Sequence, residues 1–179
     1  DHSELSGYEA FRGDTHQQLL LPRNYFNWLN MVPYAGFRFS HYSSRSSHDS
    51  DFGQMNDLDR SVFNTGVEFS FKASNTWPDA KLSFLDVDGL RHVMQPMANY
   101  VFVPDPNKRP WEIPQFDREL HSLRLRPIDF PDYNSIDTID SRNVLRIGVR
   151  NRLQTKRFGL VDDVLNWELF TDWRLETGI

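Results

Sequence analysis

The chain contains no cysteine and no long run of apolar residues. Without cysteine it has no disulfide framework, no thiolate metal site and no thiol nucleophile. Apolar residues make up 39% of the chain, yet none of their runs approaches the roughly 18 residues that a membrane-spanning helix needs. The sequence therefore excludes a helical membrane protein. It leaves a soluble β-rich domain or a transmembrane β-barrel, whose strands alternate apolar and polar residues and so keep the mean hydropathy low.

The chain also lacks an excess of basic residues. Its 20 lysines and arginines are outnumbered by 25 aspartates and glutamates, which gives a net charge of -5. No basic block stands apart from acidic neighbours, so we expect no nucleic-acid partner.

Acidic side chains are plentiful but show no catalytic or metal-binding arrangement. Four aspartates crowd one predicted loop without matching a calcium motif, and we expect them to be solvated: Asp49, Asp51, Asp57 and Asp59. The histidines lack the paired spacing of a metal site, and no phosphate-binding glycine loop, nucleophile elbow or defined pair of carboxylates is present. We therefore predict that the protein is not an enzyme and uses neither a metal nor a cofactor.

Alternation of apolar and polar residues with a period of two recurs five times. The stretches are residues 29–39, 63–73, 90–102, 143–153 and 165–175. A strand of about 11 residues, rising about 3.3 Å per residue at a tilt near 45°, covers about 25 Å, the height of an outer-membrane apolar band. Strands of soluble proteins are usually about 5 or 6 residues long. The sequence predicts an all-β fold, an antiparallel transmembrane β-barrel segment of about five long strands that forms one partial domain over residues 1–179.

The two parities of these strands are expected to face different surroundings. An arginine that faces lipid at the bilayer midplane costs about 2 to 4 kcal/mol, so the arginines of residues 143–153 are expected to face a watery lumen, or plain solvent in a β-sandwich. The predicted lumen-facing residues are Arg38, Glu68, Lys72, Arg146, Arg150 and Arg152. The predicted lipid-facing residues are Phe37, Phe39, Phe69, Phe71, Leu145, Ile147, Val149, Trp167 and Trp173. The lumen arginines either contact anionic sugars and phosphates or a plug protein, or pair across strands with Glu68, Glu168 and Asp172.

The segments between the predicted strands differ in length. Residues 41–59 and 104–140 are long and are expected to be extracellular loops, while 74–89 and 155–164 are shorter. Pro33 and Pro96 fall inside predicted strands and are expected to mark bulges or weakly paired edges. Both ends of the chain suggest a fragment of a longer protein, because the first residues do not resemble a secretion signal and the last ones stop just after a predicted strand.

Several short motifs carry a family resemblance. They are RGDTH at 12–16 leading to LP at 21–22, WLNMVP at 28–33, LRHV at 90–93 followed by Pro96, NSIDTIDSRN at 134–143 and DWRL at 172–175. These motifs resemble strand entries and loop-to-strand passages of the outer-membrane lipopolysaccharide-assembly family LptD, also called OstA or Imp. The residues that carry the most recognisable parts are Arg91, His92, Pro96, Asp137 and Asp140.

The resemblance implies a function in the outer membrane of a Gram-negative-type bacterium. In that family a very large barrel, plugged by an LptE-like lipoprotein and fed by periplasmic bridge proteins, inserts lipopolysaccharide into the outer leaflet through a lateral opening. The present chain would supply some of the strands. Two other readings of the residues remain open: a porin- or receptor-type transporter, which shares every periodicity, and a secreted carbohydrate-binding β-sandwich, which predicts that the polar parity is outermost.

Overall fold

The computed structural model describes residues 9–45, 57–117, 128, 130, 135–157 and 159–175. Its strands are β1 Glu9–Leu20, β2 Arg23–Tyr25, β3 Leu29–Arg45, β4 Leu58–Ser70, β5 Ala73–Leu82, β6 Val87–Val103, β7 Arg142–Arg157 and β8 Leu160–Arg174. Two short 3-10 turns, Ser83–Leu85 and Pro110–Glu112, are the helical elements of this part of the chain. The described chain is therefore all-β, as predicted.

The strands form one antiparallel sheet. The order along it is β1-β3-β4-β6-β7-β8, with β2 also paired to β3 and β5 also paired to β6. Residues pair across antiparallel neighbours in β2–β3, β5–β6 and β7–β8. The described strands do not close into a barrel, since β1 and β8 lie at opposite ends of this order. No helix among the described residues has the length and apolar character to cross a membrane.

The predicted number of about five strands is wrong, because the described part of the chain has eight. Strands β3, β6 and β7 contain the predicted stretches 29–39, 90–102 and 143–153 and extend beyond them. The stretch 63–73 is divided between β4 and β5, and β8 begins at Leu160 rather than at residue 165. The expected connection 74–89 is mostly strand β5, and β1 and β2 were not predicted at all. The residues of β1, β2 and β5 alternate only weakly between apolar and polar. These strands form because they hydrogen-bond to β3 and β6, which outweighs the weak strand preference of their own residues.

Two prolines account for the breaks that separate β1 from β2 and β4 from β5. Leu21 N–H donates to the carbonyl of Pro33 at 3.0 Å, and Phe71 N–H donates to the carbonyl of Pro96 at 3.3 Å. Because proline has no N–H, the return bond of each antiparallel pair is missing. The ladder is interrupted on the partner strand, directly opposite each proline. Pairing is thus weak at Pro33 and Pro96, as expected, and the resulting break lies in the neighbouring strand.

Three tight turns connect the strand pairs. Between β2 and β3, Phe26 and Asn27 have φ angles of 54° and 62°, and Trp28 N–H donates to the carbonyl of Tyr25 at 3.2 Å. Asp86, with φ 52°, precedes β6, and Gly159, with φ 83°, precedes β8. Left-handed residues of this kind match the right-handed twist of the flanking strands.

The chain divides into two compact units. Unit 1 comprises Asp1–Leu19, Ala35–Thr65 and Phe102–Arg142; unit 2 comprises Leu20–Tyr34, Gly66–Val101 and Asn143–Ile179. Both long connections, β3 to β4 and β6 to β7, belong to unit 1, and all three tight turns belong to unit 2. The buried apolar side chains of unit 1 include Tyr42, Val62, Val103, Ile113, Ile128, Phe130, Ile136 and Ile139, and those of unit 2 include Tyr34, Val87, Val93, Val101 and Val144.

Candidate functional site

On strands β3 and β4 of unit 1 several polar side chains are buried while neighbouring phenylalanines are exposed, the reverse of the order expected for a soluble protein. Arg38 is 2% exposed and Asn64 0%, whereas their apolar neighbours Phe37 and Phe63 are 44% and 46% exposed. Arginine and asparagine are normally among the exposed residues, and phenylalanine among the buried ones. We call the side that carries Arg38, Ser40, Arg60 and Asn64 the polar side of unit 1.

Strands β7 and β8 of unit 2 also carry apolar side chains on one side of the sheet and polar side chains on the other. Leu145 pairs with Trp173 and Val149 with Leu169, while Arg146 and Arg150 lie on the other parity opposite Asp172 and Glu168. We call these the apolar side and the polar side of unit 2. On the apolar side Leu169 is 62% and Trp173 55% exposed.

Asp137 is the centre of a buried network on the polar side of unit 1. Its carboxylate accepts hydrogen bonds from Arg12 Nη1 at 2.7 Å, from the Tyr42 hydroxyl at 2.6 Å and from the Phe116 N–H at 2.8 Å. Its own N–H donates to Asp117 Oδ2 at 3.0 Å, and Asp117 also pairs with Arg12 at 3.0 Å. Every acceptor oxygen of the fully buried Asp137 carboxylate is therefore used, as burial of a charge requires.

Arg60 also holds the long connection between β6 and β7, through hydrogen bonds to its backbone. Its guanidinium donates to the carbonyls of Lys108 and Ile136, each at 3.1 Å, and also to the carbonyl of Ile139. Arg60 is almost fully buried, and the backbone carbonyls of residues 104–141 replace its lost water. Together Asp137 and Arg60 attach the long connection between β6 and β7 to β1, β3 and β4.

Arg38 makes a separate ion pair with β1. Its Nε lies 3.0 Å from both carboxylate oxygens of Asp14, and its Nη2 lies 2.8 Å from Oδ2. Ser40 Oγ donates to Asp14 Oδ1 at 2.6 Å. Arg38 was predicted to face a lumen; the structure places it buried and fully paired on the polar side of unit 1.

The predicted lumen-facing residues of unit 2 fall into two groups. Arg146 pairs with Asp172 at 2.6 Å and Arg150 pairs with Glu168, so cross-strand pairing describes both. Glu68 accepts from Asn99 Nδ2 at 3.1 Å. The other group has no ion pair with any residue that the structure describes; its members are Lys72 and Arg152.

The predicted lipid-facing residues are exposed to different degrees. The most open are Phe37, Ile147 and Trp173, and the partly exposed ones are Phe39, Phe69, Phe71, Leu145, Val149 and Trp167. Trp28, which no strand prediction included, packs edge-on against Phe71 with ring centroids 5.4 Å apart.

A polar cluster that the sequence analysis missed lies on the apolar side of unit 2. His92 Nε2 is 3.0 Å from Asn151 Oδ1, and the ring of Trp167 stacks on His92 with centroids 5.8 Å apart and planes 7° from parallel. Asn151 and Trp167 are paired residues of β7 and β8. The available signal was the break in alternation at His92, since a histidine occupies an otherwise apolar parity.

The residues that carry the family resemblance have different surroundings. Asp137 is the hub described above, and Asp140 accepts from the Ser141 N–H at 2.8 Å. Arg91 is exposed on β6, and Pro96 lies opposite the gap at Phe71.

Metal binding has no support within the described ranges, where no group of three or more histidines and carboxylates is placed to hold an ion. Of the loop aspartates, Asp57 and Asp59 are described, and Asp59 Oδ1 lies 2.7 Å from His41 Nδ1. Asp49 and Asp51 lie outside the described residues. Comparison of the chain with known protein families and with curated proteins gives no match, so the resemblance to the LptD family stays a prediction.

Proposed function

We propose that this chain is part of an outer-membrane β-barrel that transports lipopolysaccharide to the outer leaflet. In the proposal the side of unit 1 that carries Phe37 and Phe63 faces bilayer hydrocarbon, and so does the apolar side of unit 2, while each polar side faces the barrel interior. The observation that carries it is the reversed burial on neighbouring positions, with Arg38 and Asn64 buried and Phe37 and Phe63 open.

The energetics favour a bilayer as the missing surroundings of the apolar side. Removing apolar surface from water contributes about 25 cal/mol per Å², and Leu169, Trp173 and Phe63 leave much of theirs uncovered. A carbohydrate-binding β-sandwich predicts the opposite arrangement, with apolar residues packed between two sheets and polar ones outermost. Strand length points the same way, since β3 and β6 each have 17 residues and a transmembrane strand needs about 9 to 11.

The choice of lipopolysaccharide as cargo depends on the family resemblance. The motifs LRHV at 90–93 and NSIDTIDSRN at 134–143 resemble that family, and alternation alone would suit any outer-membrane barrel. The buried hub Asp137 gives the second motif a physical role, because it fixes the connection that precedes β7.

Site-directed spin labelling tests the membrane part of the proposal. The chain has no cysteine, so single cysteine substitutions label one position each. In proteoliposomes, labels at Ile147 and Val149 should be accessible to oxygen, and labels at Arg146 and Arg150 to a water-soluble nickel complex. Accessibility that does not alternate along β7 would overturn the proposed orientation.

A charge substitution gives an independent check of the same orientation. Arginine at Ile147 would face lipid and should weaken insertion by about 2 to 4 kcal/mol. The matched control is Ser74→Arg, because Ser74 pairs with Val93, which follows His92 in β6 and therefore lies on the side of the sheet opposite to the contact between His92 and Asn151. Equal effects of the two substitutions on folding into liposomes would contradict the proposal.

The cargo is tested separately by photo-crosslinking in cells. A photoreactive residue at Lys72, on the polar parity, should form adducts with lipopolysaccharide, whereas one at Leu169 should form adducts with bulk membrane lipid. Absence of lipopolysaccharide adducts from Lys72 would remove lipopolysaccharide transport from the proposal and leave the barrel in place.

A further inference from the structure

Arg91 and Arg152, on the polar side of unit 2, form no ion pair with a carboxylate among the residues that the structure describes. Arg91 lies on β6 and Arg152 on β7. The other arginines of this side on β7 are matched across the sheet, Arg146 by Asp172 and Arg150 by Glu168. At the equivalent place opposite Arg152, strand β8 carries the neutral Asn166.

Because β6 and β7 are neighbours in the sheet, the contact between His92 and Asn151 places Arg91 and Arg152 near each other. The hydrogen bond between His92 and Asn151, at 3.0 Å, joins β6 to β7 on the apolar side. Arg91 and Arg152 are the adjacent residues on these two strands, so both lie on the opposite parity, beside the same point of contact. Side chains of neighbouring strands lie about 4.5 to 5.5 Å apart at Cβ when directly opposed and about 7 to 8 Å apart when diagonal.

Neutral hydrogen-bonding residues flank the two arginines. Thr76 pairs with Arg91 across β5 and β6, and Asn166 pairs with Arg152 across β7 and β8. A row across four strands therefore reads Thr76, Arg91, Arg152, Asn166, and it contains no acidic residue. We call this row the arginine row.

The composition of the arginine row matches an anion site. Like charges on neighbouring strands destabilise a sheet, and nothing in the row offsets the repulsion between the two guanidinium groups. An anion held between them would do so. Arginine presents planar paired donors that suit phosphate, and the Thr76 hydroxyl and Asn166 amide add neutral donors on either side.

We propose that the arginine row binds a phosphate group. Resting on the proposed function, the phosphate is that of an anionic glycolipid on the polar side of unit 2. The other possible source is free inorganic phosphate, which offers the same charge and oxygen geometry.

Binding measurements in detergent micelles test the site with defined probes. The 179-residue chain is titrated with lipid A, with enzymatically dephosphorylated lipid A and with inorganic phosphate. Binding of lipid A that depends on its phosphates supports the site, and Arg91→Gln and Arg152→Gln should each weaken it by about tenfold or more, as expected for one charge-assisted contact. Arg146→Gln, which removes an arginine already paired with Asp172, should leave the affinity unchanged.

A second variant separates loss of binding from loss of folding. Asn166→Asp would give Arg152 a carboxylate opposite it, the arrangement that Glu168 provides for Arg150. This variant should bind lipid A more weakly than wild type and resist urea unfolding at least as well. Undiminished lipid A binding in Asn166→Asp, Arg91→Gln and Arg152→Gln would overturn the site.

The outcomes distinguish this site from the proposed function. Alternating spin-label accessibility along β7 together with unchanged binding in the variants would overturn the arginine row alone. Loss of phosphate binding in the variants without alternating accessibility would overturn the barrel and support the row as a phosphate site. Equal affinity for inorganic phosphate and lipid A would identify free phosphate, and not a lipid, as the ligand.

Discussion

Replacing Asp137 by alanine tests the network that attaches the long connection of unit 1. The change removes the acceptor of the Tyr42 hydroxyl and of the Phe116 N–H. Each buried donor left without an acceptor costs about 1 to 3 kcal/mol. Arg12 keeps its contact with Asp117 at 3.0 Å and does not become an isolated buried charge, which limits its share of the loss.

We therefore expect Asp137→Ala to lower the free energy of unfolding by about 3 kcal/mol. Asp137→Asn should lose less, about 2 kcal/mol, because an amide oxygen still accepts from Tyr42, while the amide NH2 group faces the donors of Arg12 and Phe116. Urea unfolding in detergent micelles measures both, and the rate of protease cleavage within residues 104–141 reports on release of the connection.

Asp105→Ala is the matched control on the same connection. Asp105 makes an exposed pair with Arg109 at 3.5 Å, and exposed pairs contribute less than about 1 kcal/mol. If Asp137→Ala changes unfolding and cleavage no more than Asp105→Ala does, the Asp137 network does not hold the connection and the reasoning is refuted.

Two further predictions concern side-chain contacts in unit 2. A methyl group at Gly148 would overlap the ring of Phe170, so Gly148→Ala should destabilise by about 1 to 3 kcal/mol, and adding Phe170→Ala should cost less than the two changes summed. Gly13→Ala, whose new carbon meets only ordinary contacts, is the control; equal losses of urea stability at the two glycines would contradict the overlap. His92→Leu should cost about 1 to 3 kcal/mol because it leaves the buried Asn151 amide unpaired, and the double change His92→Leu with Asn151→Leu should recover most of that loss in thermal unfolding, whereas simple additivity would refute the pairing.

Sequence periodicity was sufficient to predict those strands whose own residues alternate between apolar and polar. The stretch 143–153 alternates except at Asn151, and β7 contains it entirely. Strand β5 has no such pattern and includes Pro78, so nothing local marks it; it is a strand because β6 supplies its hydrogen bonds from Val87 to Met94. The gaps opposite Pro33 and Pro96 show a related limit, since a proline's effect appears on the partner strand rather than on its own.

The network around Asp137 could not be predicted from local sequence patterns, for a different reason. Arg12 and Tyr42 lie 125 and 95 residues before Asp137 in the chain, and no spacing rule connects them. Alternation assigns Arg38 to a polar parity, but it does not say whether a connection covers that parity or leaves it open. Only the three-dimensional arrangement separates the buried Arg38 from the open Arg91.

A sheet with an exposed apolar side cannot be stabilised by packing that side against its own chain, so its polar side must supply specific contacts. In unit 1 Asp137, Arg60 and Arg38 supply such contacts, since each is buried and has partners that satisfy its charge or its donors. In unit 2 Arg146 and Arg150 form exposed pairs with Asp172 and Glu168, whereas Arg91 and Arg152 have no side-chain partner among the residues that the structure describes. The presence or absence of a carboxylate across the strand thus separates the paired arginines of unit 2 from the two that form the proposed phosphate site.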